Sequence, residues 1–153
     1  MVTRREWLRV ALGGAAVAAA TGTVPAFAAA VSTPITVYKD PSCGCCTKWI
    51  DHLRAHGFAV TARDMDDMDE VKATFGVPGK LQSCHTATLG SYVVEGHVPA
   101  DVIQKMLKER PKILGLAVPG MPVGSPGMEG GRAQHYDVVA FERNGKTSVY
   151  AKR

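Results

Sequence analysis

The chain has 153 residues, 46% hydrophobic and 21% charged, with a formal net charge of +4. That length and balance fit one globular domain with a real core. No Lys/Arg stripe interleaves with aromatics, so there is no case for nucleic-acid binding.

The first segment stands apart from that core. Arg4-Arg5, the apolar pair Trp7-Leu8 and basic Arg9 resemble a twin-arginine export signal. The soft apolar run from Val10 to Val24 contains Gly13, Gly14 and Gly22 and is too short and weak to span a membrane comfortably. Ala26-Phe27-Ala28 then offers small residues at the two positions a signal peptidase reads. These features predict a signal peptide over residues 1–28, a flexible leader over 29–34 and a periplasmic domain over 35–153. A plain secretory signal and an uncut anchor are the alternatives. Cutting after Ala28 removes three arginines and one glutamate, which halves the charge of +4.

In the domain, Ile35 to Lys39 is β-rich and Asp40-Pro41-Ser42 breaks it. The segment Thr47 to His56 puts Trp49, Ile50 and Leu53 on one helical face, with Gly57 as its stop. Phe58 to Arg63 alternates as a strand. The acids between Asp64 and Glu70 open a short helix reaching about Phe75. Gly76 to Gly79 reads as a turn, Cys84 to Leu89 and Tyr92 to Glu95 as strands, and Pro99 as the start of a helix with Val102, Ile103, Met106 and Leu107 inward. Pro119 to Gly131 is a Gly/Pro/Met-rich loop. Tyr136 to Glu142 and Thr147 to Lys152 flank Asn144-Gly145, a hairpin signal. The order β-α-β-α-β-β-α predicts an α/β fold: a thioredoxin-like mixed sheet with flanking helices, followed by that loop and a C-terminal β-hairpin.

The chemistry concentrates at Cys43-Gly44-Cys45-Cys46, where a strand hands over to a helix. Unpaired N–H groups and the helix dipole there favour thiolate, the form that binds metal or attacks a disulfide. Cys43 and Cys46 keep the spacing of a thioredoxin-type redox pair, and Cys45 between them departs from it. On the predicted layout Cys84 opens the third strand and points back at this turn, so four sulfurs converge. Three readings compete: two structural disulfides, a thiol–disulfide exchanger using Cys43 and Cys46, and a metal site. Crowding three thiols into one turn is a poor way to staple a domain, because short loops gain least.

For a metal, contiguous bridging thiolates suit soft Cu(I) better than the paired knuckles of structural zinc. Met121 and Met128, in a loop with no apolar face to fill, add thioethers that also favour Cu(I); the alternative is that they fill gaps in the core. His85 adjoins Cys84 and His97 begins the turn into the third helix, so each is a candidate ligand. His52 and His56 share an exposed helical face and read as solvated.

Four ordered blocks carry a family resemblance. They are Asp40-Pro41-Ser42-Cys43-Gly44-Cys45-Cys46, Ser83-Cys84-His85-Thr86, Val94-Glu95-Gly96-His97-Val98-Pro99, and the loop from Gly120-Met121-Pro122 to Gly127-Met128-Glu129. From about Ile35 to Ala151 the chain resembles the CopG-like family of periplasmic copper-resistance proteins, thioredoxin-like and long catalogued as a domain of unknown function. The resemblance implies copper held in a multinuclear cluster bridged by the thiolates of Cys43, Cys45, Cys46 and Cys84, with His85, His97, Met121 and Met128 as further members. It implies copper as the ligand and a role in copper redox chemistry or handling under copper stress; copper ions and other periplasmic copper-handling proteins are the expected partners. A copper chaperone without catalysis, a thiol–disulfide oxidoreductase and a four-sulfur zinc domain remain alternatives.

Overall fold

The computed structural model describes residues 32–153. The expected signal peptide over 1–28 lies outside the described residues, as do the first residues of the leader. The elements in order are β1 (Thr33–Lys39), α1 (Gly44–Ala55), β2 (Phe58–Asp64), α2 (Met68–Thr74), a 3-10 turn (Gly79–Leu81), β3 (His85–Leu89), β4 (Tyr92–Gly96), α3 (Ala100–Glu109), β5 (Gly115–Val118), β6 (Asp137–Phe141) and β7 (Thr147–Lys152). The first strand begins at Thr33, two residues before the expected Ile35.

One seven-stranded sheet runs β2-β1-β3-β4-β5-β6-β7. β1 pairs with β2 and β4 with β5 in parallel, and the remaining neighbours are antiparallel. This is the thioredoxin-like mixed sheet, and the hairpin β6–β7 extends it through β5. The sequence reading lacked β5: Gly115-Leu116-Ala117-Val118 is buried throughout. Its short apolar run has no alternation to mark it as a strand.

The helices sort by their stripes. Cys46, Trp49, Ile50 and Leu53 are buried on α1 at i, i+3, i+4 and i+7, and Ala100, Val102, Ile103 and Met106 on α3. Trp49, Ile50 and Leu53 of the first stripe and all four residues of the second join Ile35, Val37, Ala87, Val94 and Leu116 in the main core. A second cluster of Val77, Leu81, Val93, Leu114, Ala117 and Phe141 fills the other face. Side chains alternate along each strand, so Val94 and Val93 serve different cores. Close approach fixes Gly115: a Cβ there would sit 2.0 Å from the Val93 carbonyl oxygen.

Register places the site. Lys39, the last residue of β1, pairs with His85, the first of β3. The chain leaving β1 therefore meets the chain entering β3. Gly96 pairs with Val118 in the parallel β4–β5 ladder, so His97 and the loop from Pro119 emerge at one sheet end.

Candidate metal centre

The turn after β1 is built from its own side chains. Asp40 Oδ1 accepts the Ser42 N–H at 2.7 Å, and the Cys43 N–H donates to the Asp40 carbonyl at 3.1 Å. The Ser42 hydroxyl also donates to Asp40 Oδ1, and this bond, with the Ser42 N–H second, holds the Asp40 carboxyl below its usual range. Cys43 then takes the N-cap position of α1 with extended backbone and no side-chain cap. The successive 100° rotations of a helix separate the three thiols. Cys46 falls on the buried stripe, whereas Cys43 and Cys45 are half-buried.

Cys43 and Cys46 are joined in a disulfide, and Cys45 and Cys84 are free. The Cys45 sulfur lies 3.5 Å from Cys43 Sγ and 3.8 Å from Cys84 Sγ. The Cys46 sulfur has no proton to donate in the disulfide, and its 3.8 Å approach to the Cys84 carbonyl oxygen is a contact only. His85 Nδ1 is 3.3 Å and His97 Nε2 3.2 Å from Cys84 Sγ. Two donor groups result, Cys43-Cys45-Cys46-Cys84 and Cys84-His85-His97, each with its ligand atoms within 4.8 Å of one another. Cys84 belongs to both.

Both imidazoles are fully buried. His85 lies between Trp49, 4.3 Å away between ring centroids, and His97, 5.2 Å away. Trp49 is held by its indole N–H, which donates to the Val98 carbonyl at 2.9 Å. His85 Nε2 and His97 Nδ1 have no hydrogen-bond partner among the described residues. Burial holds both histidines below their ordinary pKa; for His85 the neighbouring His97 and Lys72 add to it, and for His97 Glu129 opposes it. Neutral imidazole is the ligand form. Burial, reinforced by Cys45, pushes the Cys84 thiol up to about 12. At neutral pH it carries its proton until a metal or base takes it.

The Gly/Pro/Met loop covers this turn. It is tied to itself by Gly124 N–H to the Met128 carbonyl (2.9 Å), Met128 N–H to the Ser125 carbonyl (2.8 Å) and Gly127 N–H to Glu129 Oε1 (2.7 Å). Gly127, with φ +92°, rests directly on α1: a Cβ there would lie 2.7 Å from the Cys45 carbonyl oxygen and 3.1 Å from the Trp49 nitrogen. Met128 lines a groove with Gly44, Cys45, Lys48 and Glu129. Met121, half-buried with φ +46°, is not among the residues lining it.

Four of the six Cys and His candidates are cysteines converging as the layout predicted, and both histidines join them. His52 departs from the solvated reading. It is half-buried, and its Nε2 accepts the Ala100 N–H at 3.1 Å, which satisfies an open donor at the start of α3. Sequence reasoning missed Lys72 and Glu95, which form a buried ion pair at 2.7 Å behind Cys84. The signal was a glutamate in the otherwise apolar strand Tyr92-Val93-Val94-Glu95.

The donor set fits copper. Thiolate sulfur and neutral imidazole together suit Cu(I) and Cu(II), and the shared Cys84 can bridge ions. The Cys43–Cys46 disulfide would have to accept two electrons, opening to two thiolates, before these sulfurs could hold a metal.

A family described as "Protein of unknown function, DUF411" matches residues 81–128. Two solved structures, of the copper resistance protein copG in form 1 and form 2, are each 51% identical to this chain. Each comparison covers 80% of this chain and 98% of that one, with TM-scores of 0.75 for form 1 and 0.76 for form 2. No curated protein matches.

Proposed function

The chain belongs to the family of the copper resistance protein copG, and on that premise we propose that it is a periplasmic copper-binding protein that cycles Cu(I) and Cu(II) in copper resistance. The supporting observation is that Cys84 Sγ stands 3.8 Å from Cys45 Sγ and 3.2 Å from His97 Nε2, linking a sulfur group to an imidazole group. Cys43, Cys45, Cys46 and Cys84 hold the ion as thiolates and favour the reduced state. His97 and His85 make the oxidised state accessible. Met128, at the groove beside Cys45, adds a thioether, and Met121 is a more distant contributor from the same loop. Export by the twin-arginine route supplies the compartment.

Elemental analysis of protein exported by cells given modest copper, purified without added metal, tests the binding. More than one copper per chain supports a cluster, and absence of copper sinks the reading. The redox step is read by electron paramagnetic resonance through one cycle of oxidant and reductant. A Cu(II) signal that appears and disappears without loss of metal supports cycling, and a permanently silent site refutes it.

The Cys43–Cys46 disulfide supports a second reading, a thiol–disulfide oxidoreductase. Cys43 is half-buried and Cys46 buried, the asymmetry of an attacking and a resolving thiol. That activity needs these two residues alone, so Cys84→Ser would leave it intact.

A further inference from the structure

A closed polar network lies behind the metal centre. Glu95 Oε1 accepts the Ser83 N–H at 2.6 Å and the Lys72 ammonium at 2.7 Å, and Glu95 Oε2 accepts the Thr86 hydroxyl at 2.7 Å. Lys72 also donates to Thr86 Oγ1 at 3.1 Å. Thr86 and Glu95 are directly opposed on β3 and β4. Lys72, Thr86 and Glu95 are all buried. Glu95 shares its sheet face with Val93 of the second core, whereas His85 stacks on Trp49 of α1 across the sheet.

The two donors from the chain, Ser83 N–H and Thr86 O–H, are the residues immediately before Cys84 and after His85. One carboxylate therefore ties both ends of a four-residue segment whose middle carries a sulfur and an imidazole of the site. The same strand end delivers the third member. Past Gly96, at φ +69°, the chain turns to bring His97 to Cys84. Gly96 has no room for a side chain: a Cβ would lie 2.7 Å from Ser83 Oγ and 2.6 Å from the Val118 carbonyl oxygen.

We propose that Glu95 and Lys72 are positioning residues for the copper site, holding Cys84, His85 and His97 in ligating order before the metal arrives. The proposal rests on the copper reading above, and touches no ion itself. The charge pair by itself is a weak source of stability, because a buried ion pair gives up the hydration of both charges. What apolar side chains cannot do is accept hydrogen bonds from both flanks of the Cys84–His85 pair. Lys72 donates to the same carboxylate at 2.7 Å and opposes the rise that burial imposes on it, which favours the charged form that accepts from both flanks at once. Fixing ligands by a second layer of hydrogen bonds is how metal sites hold orientation.

The test compares wild type with Lys72→Met/Glu95→Leu, which removes both charges, and with Glu95→Gln, which keeps one acceptor. Circular dichroism and cooperative urea unfolding establish that each is folded. With the Cys43–Cys46 disulfide intact, only Cys45 and Cys84 alkylate, so the rate ratio Cys84 to Cys45, read by mass spectrometry, reports the placement of Cys84 without copper. The ratio is expected to rise several-fold in the double variant and by less in Glu95→Gln. After reduction, Cu(I) affinity in the double variant should fall roughly 10–100-fold, the usual effect of losing ligand-orienting groups. X-ray absorption should show fewer copper–nitrogen contacts. An unchanged alkylation ratio in a folded variant overturns the proposal; if the double variant does not fold, Glu95→Gln decides by the same measure. Wild type that binds no copper would refute the copper reading alone, since the alkylation ratio still reports on positioning.

Discussion

Cys45 Sγ lies 3.8 Å from Cys84 Sγ although 39 residues separate them. Helix α1 brings one and the entry to β3 the other, and the β1–β3 register joins them at one sheet end. Because Cys84 belongs to both donor groups, it should matter more than a cysteine belonging to one. Cys84→Ser is expected to lose more copper per chain than Cys43→Ser, with unchanged far-ultraviolet circular dichroism. Elemental analysis of the two variants purified side by side decides it; equal losses would show that the imidazole group contributes no binding.

The two loop methionines should differ. Met128 lines the groove beside Cys45, and Met121 does not. Met128→Leu keeps the bulk and removes the sulfur, so competition against a colourimetric Cu(I) chelator should show weakened binding. Met121→Leu should move the competition curve less. The reverse order would mean the loop rearranges when copper binds.

Gly127 is where the loop touches α1. Alanine there combines φ +92° with a Cβ 2.7 Å from the Cys45 carbonyl oxygen. The backbone strain and the clash should together cost about 1–3 kcal/mol, measurable as a lowered urea midpoint. Copper affinity should fall with it, because the loop can relieve the contact only by lifting away from Cys45. A variant with the wild-type midpoint would show that the loop is not clamped.

Acid should destabilise the copper-free protein. The folded pKa values of His85 and His97 lie below the ordinary 6.5, burial being the main cause, so these rings stay neutral in the native state. The unfolded chain takes up those protons as pH drops below 6.5. Stability is therefore complete above that pH and is lost on going down toward the folded pKa values, by up to about 1.4 kcal/mol per pH unit for each proton. Glu95, raised by burial against the pull of Lys72, works in the opposite direction just above 4.5. Between pH 7.5 and 5.5 the melting temperature should fall, and His85→Phe should flatten the dependence. A wild-type melting temperature unchanged over that interval would mean that both rings are protonated in the folded state.

Much of this site was legible in the chain. The Cys43-Gly44-Cys45-Cys46 turn announces itself because sulfur chemistry, a strand break and a helix start coincide there. The stripe of Trp49, Ile50 and Leu53 follows from helical period, and the last hairpin from Asn144-Gly145. Strand β5 was not legible, since Gly115 to Val118 is buried throughout and a short apolar run has no distinguishing period. His52 read as solvated because its partner is the Ala100 N–H of another helix, which no local pattern shows.

The sequence by itself determined which donors exist, that three of the four thiols stand at a helix start, and the family the four blocks resemble. Local spacing and backbone preference act within a few residues, and these features live at that range. Tertiary structure alone decided that Cys84 is shared between sulfur and imidazole groups, that Met128 rather than Met121 lines the groove beside Cys45, and that Lys72 and Glu95 stand behind the site. Those facts depend on strand register, on sheet face and on buried charge finding its partner. Each is settled only when distant segments pack and water is excluded.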